Sequence, residues 1–282
     1  DRRGRMMGTA QFLSSLLGIG AGVLIRWVLA RPAPFPANNV LLIALVIPCM
    51  AVGPIAIALI REPRGAAQGE RQLPWREFLP RLAAIVRSDR RFAWLLGVRW
   101  LSGLADMAGA FYVLFATERL RLHPDLVGYM ISASVVGGLL GGVVLGALGD
   151  RKGNVFLLAL ALALRCLGPA LALCAPWAAS LHPLLAPALF LLIFFIMGLA
   201  GGGTGLLLMN YMLEIAPPGE RTLYAGLSNT LGSLVMVAPI FAGWLVQAAS
   251  YEALFALSLA LAVGGFLLAL RGQGMRRVAP AA

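Results

Sequence analysis

Apolar residues run along this chain in long blocks, broken at intervals by short polar connections. A spanning helix needs about 20 mainly apolar residues to cross the hydrocarbon layer. Eight blocks meet that length: residues 7–28, 38–60, 92–116, 124–148, 154–175, 184–212, 223–248 and 251–270. The pattern therefore predicts an all-α, polytopic membrane protein with eight transmembrane helices.

The connections alternate in charge. One set carries Arg2, Arg3 and Arg5, eight arginines from Arg61 to Arg91, Arg151 with Lys152, Arg221, and Arg271, Arg276 and Arg277, making 17 basic residues. The other set holds Arg31, Arg119 and Arg121, with Arg26 at a helix end. Basic residues accumulate on the cytoplasmic side of a membrane. The asymmetry places both termini of the chain in the cytoplasm, as an even number of spans requires.

Composition sharpens this picture. Of 282 residues, 60% are hydrophobic and 12% charged, against about 25% charged in a soluble domain. The net charge of +11 would suit a nucleic-acid partner only if one polar face gathered it. Here the arginines lie between apolar runs, so the bilayer is the expected partner and nucleic acid is not. Lys152 is the one lysine against 22 arginines, a bias expected of a GC-rich bacterial genome, and hence of a bacterial inner (plasma) membrane. Cys49, Cys166 and Cys174 lie in or beside apolar runs, where free cysteine packs as a small buried hydrophobe. Neither a CxxC pair nor a metal-ligand spacing is present in the sequence, so no metal or cofactor is expected. The opening Asp1-Arg2-Arg3-Gly4-Arg5 reads like a loop between helices, and the expectation is a chain lacking earlier spans.

Residues 61–91 form the one long connection. After Pro74, Trp75, Phe78, Leu82, Ile85 and Val86 recur at helical spacing with Arg76, Arg81 and Arg87 between them. That suits a short amphipathic helix on the inner leaflet, or else a solvated basic loop.

Two internal signals organise the spans. Arg3, Gly8, Gln11 and Ser15 recur as Arg221, Gly226, Asn229 and Ser233, each 218 residues on, with Gln11 and Asn229 a chemical match. Parallel repeats of this kind are common in transporters. The second signal is Gly146-Ala147-Leu148-Gly149-Asp150-Arg151-Lys152-Gly153-Asn154. Glycine lets backbones approach and turn tightly, and Asp150 suits the positive end of a neighbouring helix. This run resembles the cytoplasmic loop signature of the major facilitator superfamily, broadly G-x-L-x-D-R-x-G-R-[KR], and departs from it at Asn154 and Val155.

The resemblance implies two six-helix bundles, with the signature after span 8. The chain then holds spans 5–12: residues 1–60 as spans 5 and 6 of an incomplete N-terminal bundle, 61–91 as the central linker, and 92–282 as the C-terminal six-helix bundle. The conformational motif would comprise Gly146, Gly149, Asp150, Arg151 and Gly153, with Asp150 near the start of span 5, around Arg5 to Gly8.

Charges within spans mark the candidate site, because each costs about 2.5–3.5 kcal/mol on insertion scales and so faces a cavity or partner. Arg99 and Asp106 stand nearly two turns apart on one helix face, continued by Ser102, Gly103 and Gly109. The resemblance implies that this helix lines the central cavity. Substrate binding or proton coupling by Asp106, assisted by Arg99, is one reading; a structural pair, or Arg99 reaching the headgroups, is the other. Their separation, about 10 Å at 1.5 Å per residue, argues against a direct ion pair. Ser102, Gln11 and Asn229 are further polar candidates. Arg165, on a helix that the resemblance places outside, is expected to turn inward to a carboxylate or to carbonyls. Gly137, Gly138, Gly141, Gly142 and Gly146 suit close packing. Gly198, Gly201, Gly202, Gly203 and Gly205 suit either a bent, gating helix or tight packing.

The expectation is a secondary active transporter working by alternating access, coupled to protons, monomeric when full length, exporting a small solute. Nutrient uptake is the alternative. A non-transporting sensor and a membrane-embedded enzyme are more distant ones. GxxxxGK[ST], HExxH and GxSxG are all absent from the sequence, and the expectation is that the protein is not an enzyme.

Overall fold

The computed structural model describes residues 2–31, 36–59, 84–217 and 219–275. Side chains are described for these except at 2–12, 15, 19, 29, 145–147, 149–152, 203, 206 and 273–275. Among the described residues the chain is helical, without strands, and forms a short helical stretch at 84–88 and eight long helical rods. These are α1 (Arg2–Leu29), α2 (Ala37–Ala58), α3 (Arg90–Arg119), α4 (Leu126–Lys152), α5 (Asn154–Leu181), α6 (Leu185–Ile215), α7 (Arg221–Ala248) and α8 (Tyr251–Met275). Seven are long and apolar enough to cross a membrane; in α1 the apolar part, Leu16–Val28, is shorter.

The helices α3 to α8 share two apolar cores. One, toward the Arg90 end of α3, gathers Phe92, Leu95, Val98, Leu158, Met212 and Tyr224. The other, toward its Arg119 end, gathers Met107, Phe115, Phe190, Ile193, Leu254 and Phe255. The ring of Phe115 meets that of Phe255 edge to face, with centroids 5.1 Å apart, an arrangement aromatic quadrupoles favour. Each end of α3 is pinned. Asp89 caps it by accepting from the backbone N–H groups of Arg91 and Phe92, and also accepts from the Tyr224 hydroxyl of α7 at 3.0 Å. At the far end the Tyr251 hydroxyl donates to Glu118 at 2.9 Å.

Helix α1 lies antiparallel along α4: Gly18 faces Val135, Gly22 faces Ser132, and Arg26 faces Gly128. Helix α2 buries none of its residues. Its exposed row, with Ile43, Ile47, Met50 and Ile57, suits a hydrocarbon surround rather than water. Helix α7 also exposes the apolar side chains Met236, Ile240, Phe241 and Trp244.

Of the two readings of the glycine-rich α6, close packing holds at Gly198 and Gly202, which rest on α4, while Gly201 and Gly205 have open space; the helix is continuous from Leu185 to Ile215. Two expectations need correction. Cys49 and Cys174 are exposed, not buried; each faces outward from an apolar helix, where a small thiol is compatible with lipid. Residues 84–88 are helical, but Ile85, expected to lie face down on the leaflet, is buried in the core with Phe92. Most of the 61–91 connection, including Trp75 and Phe78, lies outside the described residues.

Candidate functional site

Two rods lose α-helical geometry midway. In α3, Asp106–Ala108 forms a 3₁₀ turn, and the Ala105 carbonyl just before it accepts from Ser258 of α8 at 2.6 Å. In α7, Leu234–Val237 is likewise 3₁₀. Its cause is legible: Pro239 has no N–H to offer the carbonyl four residues back, so the ladder is cut there. The two interruptions pack near each other, because Trp100 of α3 donates its indole N–H to the Leu231 carbonyl of α7 at 2.9 Å.

Between the two apolar cores, at the level of these interruptions, lies a cavity of about 360 Å³. Helix α3 contributes Arg99, Ser102, Gly103, Asp106 and Met107 to its wall. Arg165 comes from α5, and Thr204, Gly205 and Leu208 from α6. Helix α7 closes it with Gly232, Val235, Met236 and Pro239. The volume falls within the range of small-molecule sites, about 300–1,000 Å³.

The charges divide into two groups. The Arg165 guanidinium donates to the Asp106 carboxylate across the α5–α3 interface. The Arg165 side chain is 18% exposed and that of Asp106 49% exposed, so the carboxylate opens onto the cavity while the cation is set into the wall. The Nε–H of Arg165 is buried and has no acceptor among the described residues. Arg99 makes a separate set of bonds. It donates to Ser228 Oγ at 2.8 Å and to Asn229 Oδ1 at 3.2 and 3.3 Å. Its guanidinium lies flat on Gly232, where an added Cβ would overlap Nε and Cζ. Gly232 follows Ser228 by one turn, so one face of α7 forms the seat.

The structure therefore brings Asp106, Arg99 and Ser102 into the wall of one cavity, with Asn229 behind Arg99 as its hydrogen-bond partner and Asp106 and Arg99 unpaired to each other, as their spacing implies. Ser102 is buried and spends its hydroxyl on the Arg99 carbonyl at 3.0 Å. The side chains of Gln11, Asp150 and Arg151 lie outside those described, as do the Gly146 and Gly149 surroundings. Gly153 separates α4 from α5 with φ of 82°, a conformation that glycine adopts without strain. Sequence reasoning missed Ser228 and Gly232. The available signal was modest: a polar pair, Ser228-Asn229, followed one turn later by glycine within an apolar span.

The sequence profile of the Major Facilitator Superfamily matches residues 1–234 and, in a second overlapping match, 95–280. The chain belongs to the Major Facilitator Superfamily. No curated protein matches it by sequence. Among solved structures it resembles a bacterial homologue of the iron transporter ferroportin. The outward-facing state of that protein superposes with a TM-score of 0.56 at 17% identity, covering 95% of this chain and 65% of the other. The inward-facing state gives 0.55 at 18% identity, covering 67% and 48%. The chain thus spans between about half and two thirds of the length of these neighbours, and the likeness is one of fold. As a member of the superfamily the chain is a multi-pass membrane protein, and its cavity sits within a helical bundle of the transporter type.

Proposed function

We propose that the chain forms part of a proton-coupled secondary transporter that moves a small solute by alternating access. The observation that carries this reading is the cavity between two apolar cores. It is walled by helices interrupted at its own level and opens onto a carboxylate held by a guanidinium. Irregular backbone at membrane depth is tolerated where it lines a cavity, and ionisable groups there mark solute or proton paths. A proton on Asp106 would end its ion pair with Arg165, so the α3–α5 contact offers a two-state element that protonation biases.

The layout supports residues 1–60 as the end of one bundle and 92–282 as the other. The arginine distribution supports cytoplasmic termini; a bacterial inner membrane and a monomeric full-length state are part of the proposal. Efflux is the direction first expected from sequence. Ferroportin is named as an iron transporter. Among the described residues no group of three metal-ligating side chains gathers, and one carboxylate offers too few hard oxygen donors to support a metal cargo here.

The test is Asp106→Asn in the full-length protein, reconstituted in vesicles with a solute identified by counterflow screening. Concentrative, pH-driven transport should fall by roughly 5–150-fold, the usual span of coupling energies, while counterflow persists. Unchanged pH-driven accumulation would move the coupling site elsewhere.

The Gly146–Gly153 motif is proposed to fasten the bundles on the cytoplasmic side. The antiparallel register of α1 on α4, observed from Gly18 against Val135 to Arg26 against Gly128, supports this reading. Asp150→Asn should favour the inward-open state, read as faster labelling from the cytoplasm of a cysteine placed at Ser102. An unaltered labelling rate would separate the motif from gating.

A further inference from the structure

The described wall of the cavity carries two guanidinium groups and one carboxylate. Asp106 and Arg165 neutralise each other. The side-chain partners of Arg99, Ser228 and Asn229, are neutral acceptors. A guanidinium stays charged at any accessible pH, so this seat presents one positive charge with no counter-charge among the described groups. The other described carboxylates that face polar partners do so at the helix ends: Asp89 at the Tyr224 hydroxyl and the α3 N-terminus, Glu118 at Tyr251, Asp125 at His123 and Glu214 at Asn154.

We propose that this cavity binds a small organic carboxylate on Arg99, and that a proton on Asp106 promotes this binding by releasing Arg165 as a second donor fork. The proposal deepens the transport reading above and rests on it. The planar fork of arginine matches a carboxylate bidentately. Held in the cavity wall by Ser228, Asn229 and Gly232, the Arg99 guanidinium is already oriented, so little side-chain freedom is lost on binding. Arg165 is the nearest cation to Asp106 and its ion-pair partner. Of the other groups near Asp106, Tyr112 lies within electrostatic reach along α3, and Arg99 stands nearly two turns away on the same wall of the cavity. The described wall residues of α6 and α7, and Ser258 of α8, include no group that titrates near neutral pH. Asp106 is the one carboxylate among the described wall residues, and the proposal assigns the proton to it. Its proton enters from one side of the membrane and leaves to the other together with the anion, so the pair crosses with no net charge. Such co-binding makes an inward proton gradient draw solute inward, and it favours uptake over the efflux expected from sequence.

The charge assignment is tested with three probes of nearly one shape: benzoate, benzamide and benzamidinium. Each is titrated into the purified full-length protein between about pH 6 and 8, where a carboxylate is ionised in water, and the thermal midpoint is read. Benzoate should raise the midpoint with half-saturation at about millimolar concentration for a ligand of so few atoms. Benzamide and benzamidinium should be at least about tenfold weaker. Arg99→Gln should weaken benzoate by about tenfold or more. Asp106→Asn, which removes the negative charge that neutralises Arg165, should tighten benzoate, an effect opposite to that of simple damage. Stronger stabilisation by benzamidinium, no stabilisation by benzoate, or loss of benzoate binding in Asp106→Asn would each overturn the proposal. Benzoate stabilisation without saturable counterflow in vesicles would uphold the charge assignment while removing the transport reading. Proton-driven flux of the cation ethidium in protein that ignores benzoate would uphold transport and remove the carboxylate.

Discussion

The pair α4–α6 and the pair α3–α7 use small residues to opposite ends. In the first, glycines are places where one backbone rests on another. A Cβ at Gly137 would overlap the Phe195 carbonyl, one at Gly141 the Leu199 carbonyl, one at Gly198 the Ser134 carbonyl, and one at Gly202 the Gly138 carbonyl. Both helices run unbroken. In the second pair the helices are interrupted, at Asp106–Ala108 and Leu234–Val237, and side chains carry the contact: Arg99 to Ser228 and Asn229, and Trp100 to Leu231. Glycine content therefore does not locate the pliable part of this bundle. Close backbone packing makes the glycine-rich pair a joint without slack, whereas a missing N–H and long polar side chains make the other pair adjustable.

The largest effect should come from forcing the first pair apart. Gly198→Val places a β-carbon inside the Ser134 carbonyl, and neither backbone can yield without moving a whole helix. We expect destabilisation beyond about 3 kcal/mol, the upper range for overpacking, seen as loss of monodisperse protein or a collapse of the thermal midpoint. Gly201, three residues on, has open space around its Cβ position. Gly201→Ala should be neutral or stabilise by about 0.5–1 kcal/mol through helix propensity. Equal damage from both would show that the glycines act through flexibility and not through contact.

A smaller effect on the fold, and a larger one on function, is expected of Gly232→Ala. Its β-carbon would meet the far end of a flexible side chain, the Arg99 guanidinium, which can swing aside. The cost to stability should stay near 1 kcal/mol, about that of hydrogen bonds lost by a partly exposed group. Benzoate binding should weaken as in Arg99→Gln, because the fork loses its seat. Retained binding with an unshifted midpoint would show that Arg99 needs no seat.

Much of this was legible in the chain, for reasons specific to each element. The eight rods follow from apolar blocks long enough to span, since backbone groups in hydrocarbon must bond within their own helix. Arg99, Asp106 and Arg165 announced themselves as charges inside spans. What the sequence could not provide was their pairing. Arg165 and Asp106 are 59 residues apart, and nothing local chooses Arg165 over Arg99 as the partner of Asp106. The glycines of α6 were open to two readings, bend or contact, because that choice belongs to the α4 backbone and not to α6. The α3 interruption was hidden for a similar reason: the Ala105 carbonyl is taken by Ser258, 153 residues away.

The interruption in α7, by contrast, has a local cause, and this makes it the finest probe of the comparison. Pro239 lines the cavity and starts the second half of the rod immediately after the 3₁₀ turn. Pro239→Ala restores an N–H that can reach the Val235 carbonyl, and alanine is the best helix former. A proline inside a helix costs about 3 kcal/mol, but here the turn before it already absorbs the missing bond. The gain should accordingly be small, about 0.5–1 kcal/mol. The functional reading differs in sign. A healed α7 would resist rearrangement at the cavity, so counterflow should slow severalfold while benzoate binding, which depends on residues 228–232, stays within about twofold, a difference of less than 0.5 kcal/mol. Hydrogen exchange localised to Leu234–Val237 would slow in step. If counterflow and exchange are both unchanged, the turn persists without its proline and the cause lies in packing against α3. If binding falls with them, the two halves of α7 move as one, and the contrast with the glycine-packed pair loses its basis.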